Sequence, residues 1–362
     1  MTDLIQNKLG PGLRLVTLSQ PDGRPLRRNG DLAMRTGGYS EWLVAVGNGS
    51  LSKRNASPMP HIVSLPDEPT VSVVVPFYGT DVSALIKCVE SLLGQDYSRD
   101  RTTIIVIDNN ETASLPPSMF GRRCKLVHEP IPGSYAARNR GVSESLDDII
   151  AFTDSDCVPL RSWISAGVRA LEKAIRPVIV GGPILFGFGN NTAKTACELL
   201  DSIIHHRQSE YVFEHGFVAT ANLFVPRVLF CTHGQFDARF LSGGDREFGQ
   251  RLTAGGVGIV MADDALIVHP ARTRLIDLLQ KGRRGVGGDK TSLNLRKMSQ
   301  WTILKIQVNN YLHRQRLISN RAAALGMARY QLIKLRALLT LIYIARLFEA
   351  IRLVFGGKPH RV

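Results

Sequence analysis

Cysteine is scarce in this chain, long apolar runs are missing, and acidic residues are outnumbered by basic ones. The five cysteines, Cys88, Cys124, Cys157, Cys197 and Cys231, form no C-x-x-C pair. That excludes a zinc knuckle and a disulfide framework, and it points to a reducing compartment. The opening residues Met1-Thr2-Asp3-Leu4-Ile5-Gln6 lack the basic and apolar segments of a secretory signal, so a cytoplasmic setting is expected. In the apolar stretch 331–356 the longest charge-free run, Ala337 to Ala345, is far shorter than the roughly 18–20 residues that cross a bilayer. No repeat of fixed period runs through the chain, which excludes a solenoid.

What is present is enough for one large core plus appendages: 362 residues, 44% hydrophobic. The net charge of +14 is unevenly placed, with 18 Lys and Arg against 22 Asp and Glu in residues 71–270, but 19 against 3 in residues 271–362. Such a tail offers a surface to an acidic partner. A nucleic-acid-binding or non-catalytic membrane-binding protein would carry similar charge. The tail, however, has few interleaved aromatics and no nucleic-acid-binding module, so no nucleic acid is expected as partner.

Three regions follow from the pattern. Residues 1–66 mix Gly, Ser, Asn, Pro and Arg and read as an N-terminal extension, with room for a hairpin. Residues 67–270 alternate strands (Val71–Val75, Thr103–Ile107, Ile149–Phe152) with helices (Val82–Leu93, Ser134–Ser145, Trp163–Ala174). That alternation predicts an α/β fold, a mostly parallel sheet flanked by helices. Residues 271–362 read as helical and basic, broken by Gly282, Gly285, Gly287 and Gly288. Over 331–356, Lys334, Arg346, Glu349 and Arg352 fall broadly on one side of a helix and Leu, Ile and Phe fill the rest. This suits either a helix lying in a membrane interface or one packed on the catalytic domain.

The chemistry-bearing segments sit where parallel strands end. Asp148–Phe152 runs into Asp154-Ser155-Asp156, two carboxylates that point the same way from an extended chain and can seat a divalent cation carrying phosphates. Pro76-Phe77-Tyr78-Gly79 and Asp108-Asn109-Asn110 end the first two strands and offer an aromatic wall and fixed acceptors for a nucleotide, with turn chemistry as the competing reading. Gly133 opens a short helix expected to end on Gly141, and it presents Arg138 and Arg140 to a phosphate-bearing ligand. Asp245, behind Gly243 and Gly244, reads either as a general base beside Glu247 or as half of a capping box with Ser242. His269 ends a short strand and can complete a metal site with Asp156.

Seven segments in this order, VSVVVPFYG, IIVIDNN, PGSYAARNRGV, IAFTDSDCVP, TANLFVPR, GQFDARFLSGGDREFGQRL and ALIVHP, resemble the family 2 glycosyltransferases, whose catalytic domain is the Rossmann-like GT-A fold. The resemblance spans about Val71 to His269. It implies that Pro76, Tyr78, Asp108 and Arg138 hold the nucleotide. Asp154 and Asp156 would be the DxD pair, with Asp156 and His269 on Mg2+ or Mn2+. Asp245 would be the base of an inverting reaction, and Asn222 and Glu247 would lie near the sugars. It further implies a nucleotide-sugar donor, mostly UDP-linked, and a saccharide or lipid-linked acceptor in envelope, exopolysaccharide or glycolipid synthesis. Peripheral contact with the inner face of the cytoplasmic membrane through the basic helix is expected. The family's Glu before the base is Gly244 here, its Asn after Tyr78 is Gly79, and its Gln-x-x-Arg-Trp appears as Gln280-Lys281-Gly282-Arg283-Arg284. The missing Trp favours single transfer over processive synthesis. A nucleotidyltransferase on a similar metal-binding sheet is the alternative; it has no need for a base at Asp245.

Overall fold

Strand β2 (Val71–Phe77) is a run of β-branched residues buried on both faces, as a central parallel strand must be. Its alternate side chains part to two cores: Val73 and Val75 meet Leu85, Trp163 and Phe224, while Val74 meets Ile107, Phe152 and Phe248. The computed structural model describes residues 14–15, 65–175, 177–189, 194–293 and 300–357. The expected N-terminal hairpin therefore lies outside the described residues, apart from strand β1 (Arg14–Leu15).

Around β2 are β3 (Thr102–Asp108), β4 (Lys125–His128), β5 (Ile149–Thr153), β7 (Val178–Gly181), β9 (Asn222–Pro226) and β10 (Gly258–Met261), in the order β10-β7-β9-β5-β2-β3-β4. All pairings are parallel except those of β9, which runs against both neighbours. A second sheet, in the order β1-β8-β11-β6, contains β6 (Val158–Pro159), β8 (Ile184–Phe188) and β11 (Ile267–Pro270). Helices α1 (Val82–Leu93), α2 (Ser134–Ser143) and α3 (Trp163–Glu172) connect the first strands. Helix α2 does not stop at Gly141: a Cβ there would overlap Val74, so the glycine serves helix-on-sheet contact.

The later helices are α4 (Ala196–Ile204), α5 (Gln208–His215), α6 (Val228–His233), α7 (Gly244–Ala254), α8 (Leu275–Leu293), α9 (Gln300–Ala324) and α10 (Arg329–Val354). The basic tail shares a core with α4, made by Leu200, Ile204, Leu278, Ile318, Leu335, Leu339 and Ile342. Burying such a side chain contributes about 1.5–3 kcal/mol.

Two expectations for the tail are corrected. Helix α8 runs unbroken through its four glycines. A Cβ on Gly282 would stand 3.0 Å from Ile342, one on Gly285 2.8 Å from Arg346, and one on Gly288 would overlap the Ser242 carbonyl. These are contact positions, and close packing on two sides outweighs a propensity cost of about 1 kcal/mol each. Of the four charges expected on one side of α10, Lys334 is exposed, whereas Arg346, Glu349 and Arg352 are engaged with partners. Arg346 donates to Gln307 and to the Gly282 carbonyl, at 3.1 Å each, and buried Glu349 takes Arg352 at 2.6 Å. Exposed instead are Tyr330, Ile333, Leu341, Ile344, Phe348, Ile351 and Phe355, a stripe at helical spacing, with Lys334 exposed beside it.

Candidate active site

Strands β2, β3 and β5 end on the same edge of the sheet, so Tyr78, Asp108 and the Asp154–Asp156 turn are brought together there. Pro76 is half-buried within β2, and Tyr78 just beyond the strand is 50% exposed. Asp108 is buried. Its carboxylate accepts from the backbone N–H groups of Asn110, Ser114 and Leu115, which shapes the turn after β3. Burial by itself would raise its pKa, but the backbone donors outweigh that and hold the carboxyl below the usual range.

Beyond β5, Asp154 pairs with the buried Arg138 of α2 at 2.6 Å. Asp156 faces His269 Nε2 at 3.7 Å. His269 Nδ1 lies 2.7 Å from the Pro270 carbonyl, to which it can only donate, and this turns Nε2 toward Asp156. Asp154, Asp156, Cys157 and His269 offer ligand atoms within 4.8 Å of one another. Burial, and then the field of Asp156, push the Cys157 thiol well up. The two carboxylates and the imidazole are donors suited to Mg2+ or Mn2+.

Asp245 lies in the first turn of α7, but the capping box does not form: the N-cap is Gly243, in a left-handed conformation, and no side chain caps the helix. The carboxylate is half-buried and accepts from the Tyr135 hydroxyl at 3.1 Å and from the Arg246 N–H at 3.0 Å. Desolvation raises its pKa, against the opposing pull of Arg138. The Tyr135 ring lies 5.5 Å from the Arg138 guanidinium. Contacts thus run without a break from Asp154 through Arg138 and Tyr135 to Asp245. Gly244 makes room for this ring, since a Cβ there would come within 2.8 Å of it.

Much of the chain is similar to known proteins. The family model for glycosyl transferase family 2 matches residues 72–228. The glycosyltransferase AglE of Haloferax volcanii is 31% identical over 210 residues, covering 56% of this chain and 68% of the relative. The chain belongs to glycosyltransferase family 2. The pre-mycofactocin glycosyltransferase of Mycobacterium tuberculosis is 26% identical over 66% of this chain and 50% of the relative. Among solved structures, the mannosyltransferase PcManGT of Pyrobaculum calidifontis, in complex with GDP-Man and Mn2+, superposes with a TM-score of 0.52 at 18% identity, covering 82% of this chain and 90% of that one. That likeness shows the fold, which is GT-A.

Two residues expected near the sugars have structural partners. Asn222 is fully buried at the start of β9, accepting from Trp163 Nε1 at 2.8 Å and donating to the Pro183 and Ala265 carbonyls at 3.0 and 2.8 Å. It ties the two sheets together, because a core amide must satisfy all its polar atoms. Glu247 pairs with Arg251 at 2.7 Å, and Arg251 also reaches the Gln235 carbonyl, so the pair anchors the loop ahead of α7. No role followed from the sequence for Tyr135 or His206, and Lys281 figured only within the stretch that stands for the family's Gln-x-x-Arg-Trp. The His206 ring lies 4.3 Å from that of His269, and Lys281 Nζ lies 3.3 Å from His206 Nε2.

Proposed function

We propose that this family 2 glycosyltransferase moves a sugar from a nucleotide-sugar, UDP-linked by family preference, to a hydroxyl of a saccharide or lipid-linked acceptor with inversion at the anomeric carbon. The observation that carries this reading is the contact path from the Asp154–Asp156–His269 cluster to Asp245. One end suits a cation and a diphosphate, and the other holds a desolvated carboxylate. Asp156 and His269, with Asp154 beside them, would hold Mg2+ or Mn2+, which supplies positive charge for the phosphates. Pro76 and Tyr78 border the position of the base and ribose, while Asp108 acts by shaping the turn there. Arg138 adds fixed positive charge to the leaving diphosphate.

Asp245 takes the proton of the acceptor hydroxyl as its oxygen bonds to the anomeric carbon. The bond from that carbon to the diphosphate breaks, and the nucleoside diphosphate leaves with the electron pair. Desolvation makes Asp245 a stronger base than an exposed carboxylate, and the Tyr135 hydroxyl fixes its orientation. A screen of the protein with Mn2+ against UDP- and GDP-sugars, reading nucleotide release, tests the reading. Release of nucleoside diphosphate supports it, and release of pyrophosphate would assign nucleotidyl transfer instead.

The same reading places the enzyme against an anionic membrane surface on the cytoplasmic side. Among the described residues no helix is long and apolar enough to cross a membrane. The apolar stripe of α10, the 80% exposed Trp301 and the basic excess of the tail suit attachment in the interface. Anionic vesicles should sediment the protein and blue-shift Trp301 emission, and Phe348→Asp should weaken binding by roughly tenfold or more, the worth of one buried aromatic. Equal retention of wild type and Phe348→Asp would reject this surface.

A further inference from the structure

Among the described residues, His206 is the only one other than glycine whose φ is positive, at 47°. A residue with a Cβ seldom adopts this left-handed backbone, and where it does the surroundings impose it. His206 stands at the corner between α4, which ends at Ile204, and α5, which begins at Gln208, and both helices are tied down. Fully buried Asp201 of α4 meets His205 Nδ1 at 2.5 Å and accepts from the Arg272 N–H at 3.0 Å, which joins the helix to the chain leaving β11. From the tail, Arg314 of α9 donates to the Ile204 carbonyl at 2.6 Å. On the other side, buried Gln208 donates to the Asn222 carbonyl and accepts from the Ala219 N–H, each at 2.9 Å.

The corner delivers one side chain to the acidic cluster. The His206 ring lies 4.3 Å from the buried His269 ring with their planes 36° apart, and Phe186 of β8 closes on the two at 5.8 and 6.1 Å. Lys281 Nζ, 3.3 Å from His206 Nε2, holds the far edge of the ring. The bond from His269 Nδ1 to the Pro270 carbonyl fixes one edge of that imidazole and leaves its tilt open, and a ring packed on its face removes this freedom. Glycine would meet the same φ without strain, but it would leave the face of His269 bare.

We propose that His206 is a positioning residue of the metal site: the strained corner holds its ring against His269 and so keeps Nε2 turned toward Asp156. The proposal rests on the reading of Asp156 and His269 as holders of Mg2+ or Mn2+. It is tested without turnover. Mn2+ is titrated into the whole protein, alone and with UDP or GDP, and the free ion is read by electron paramagnetic resonance, with thermal melts of the same samples.

His206→Gly and His206→Ala both remove the ring, and each is expected to weaken Mn2+ by about tenfold, the effect of losing a group that orients a metal ligand. The two differ in backbone strain, so His206→Gly should melt higher than His206→Ala while holding Mn2+ no better. His206→Phe keeps a ring on His269 and should recover most of the affinity. A corner with only a structural role predicts Mn2+ affinity that follows the melting temperature, and that result, or a folded His206→Phe that binds no better than His206→Ala, overturns the proposal. If His206→Ala does not fold, the Gly and Phe variants carry the test. His269→Ala separates the proposal from the reading beneath it. Weakened Mn2+ in His269→Ala with wild-type affinity in His206→Gly removes the positioning role alone. Unchanged affinity in His269→Ala, or wild type that holds no Mn2+, removes the metal reading of His269 and the proposal with it.

Discussion

Asp154 and Asp245 stand at the two ends of one contact path, yet their surroundings differ. Asp154 is held in a direct ion pair with Arg138. Asp245 has a tyrosine hydroxyl and one backbone N–H for partners, and desolvation makes its proton harder to lose. The same side-chain type thus sits against a guanidinium at one end and in a desolvated setting with neutral donors at the other, a difference set by neighbours.

Removing the first end should cost most. Asp156→Ala is expected to abolish detectable transfer and, in calorimetry, metal-dependent nucleotide binding with it. Asp245→Asn should lower kcat by about 10²–10⁴ while leaving that binding intact. If both variants lost binding equally, or if Asp245→Asn kept full rate, the two ends would not be distinct. A smaller change sharpens the contrast. Tyr135→Phe deletes a hydrogen bond to the charged carboxylate, so the pKa of Asp245, already raised by desolvation, should rise further. The base acts unprotonated, so the rate climbs with pH through that pKa. The acid limb of the pH–rate profile should move to higher pH in Tyr135→Phe, with kcat on the plateau lowered by about tenfold or less, the worth of one hydrogen bond. An unmoved limb would detach Tyr135 from the base.

Much of this was legible in the sequence where chemistry and secondary structure are local. The strand ends carrying Tyr78, Asp108 and Asp154 follow from apolar runs closed by polar turns, and His269 follows from a short strand. What was hidden depends on distant contacts. Tyr135 meets Asp245 across 110 residues, and no local spacing announces the pair. The burial of Asn222 depends on Trp163 and on carbonyls from two other segments. The glycines of α8 read as breaks because propensity is a local quantity and packing is not. The Glu247–Arg251 pair differs in that its i,i+4 spacing is local, yet from the sequence Glu247 is read only as a neighbour of the base and the sugars.

Helix α8 is a shared wall. Its glycines bring α10 close on one side and the loop before Asp245 close on the other. A shortened protein ending near Pro270 would therefore keep every strand of the two sheets and still lack one side of its cleft. Whatever presses on the outer surface of α10 is only two helices away from Asp245.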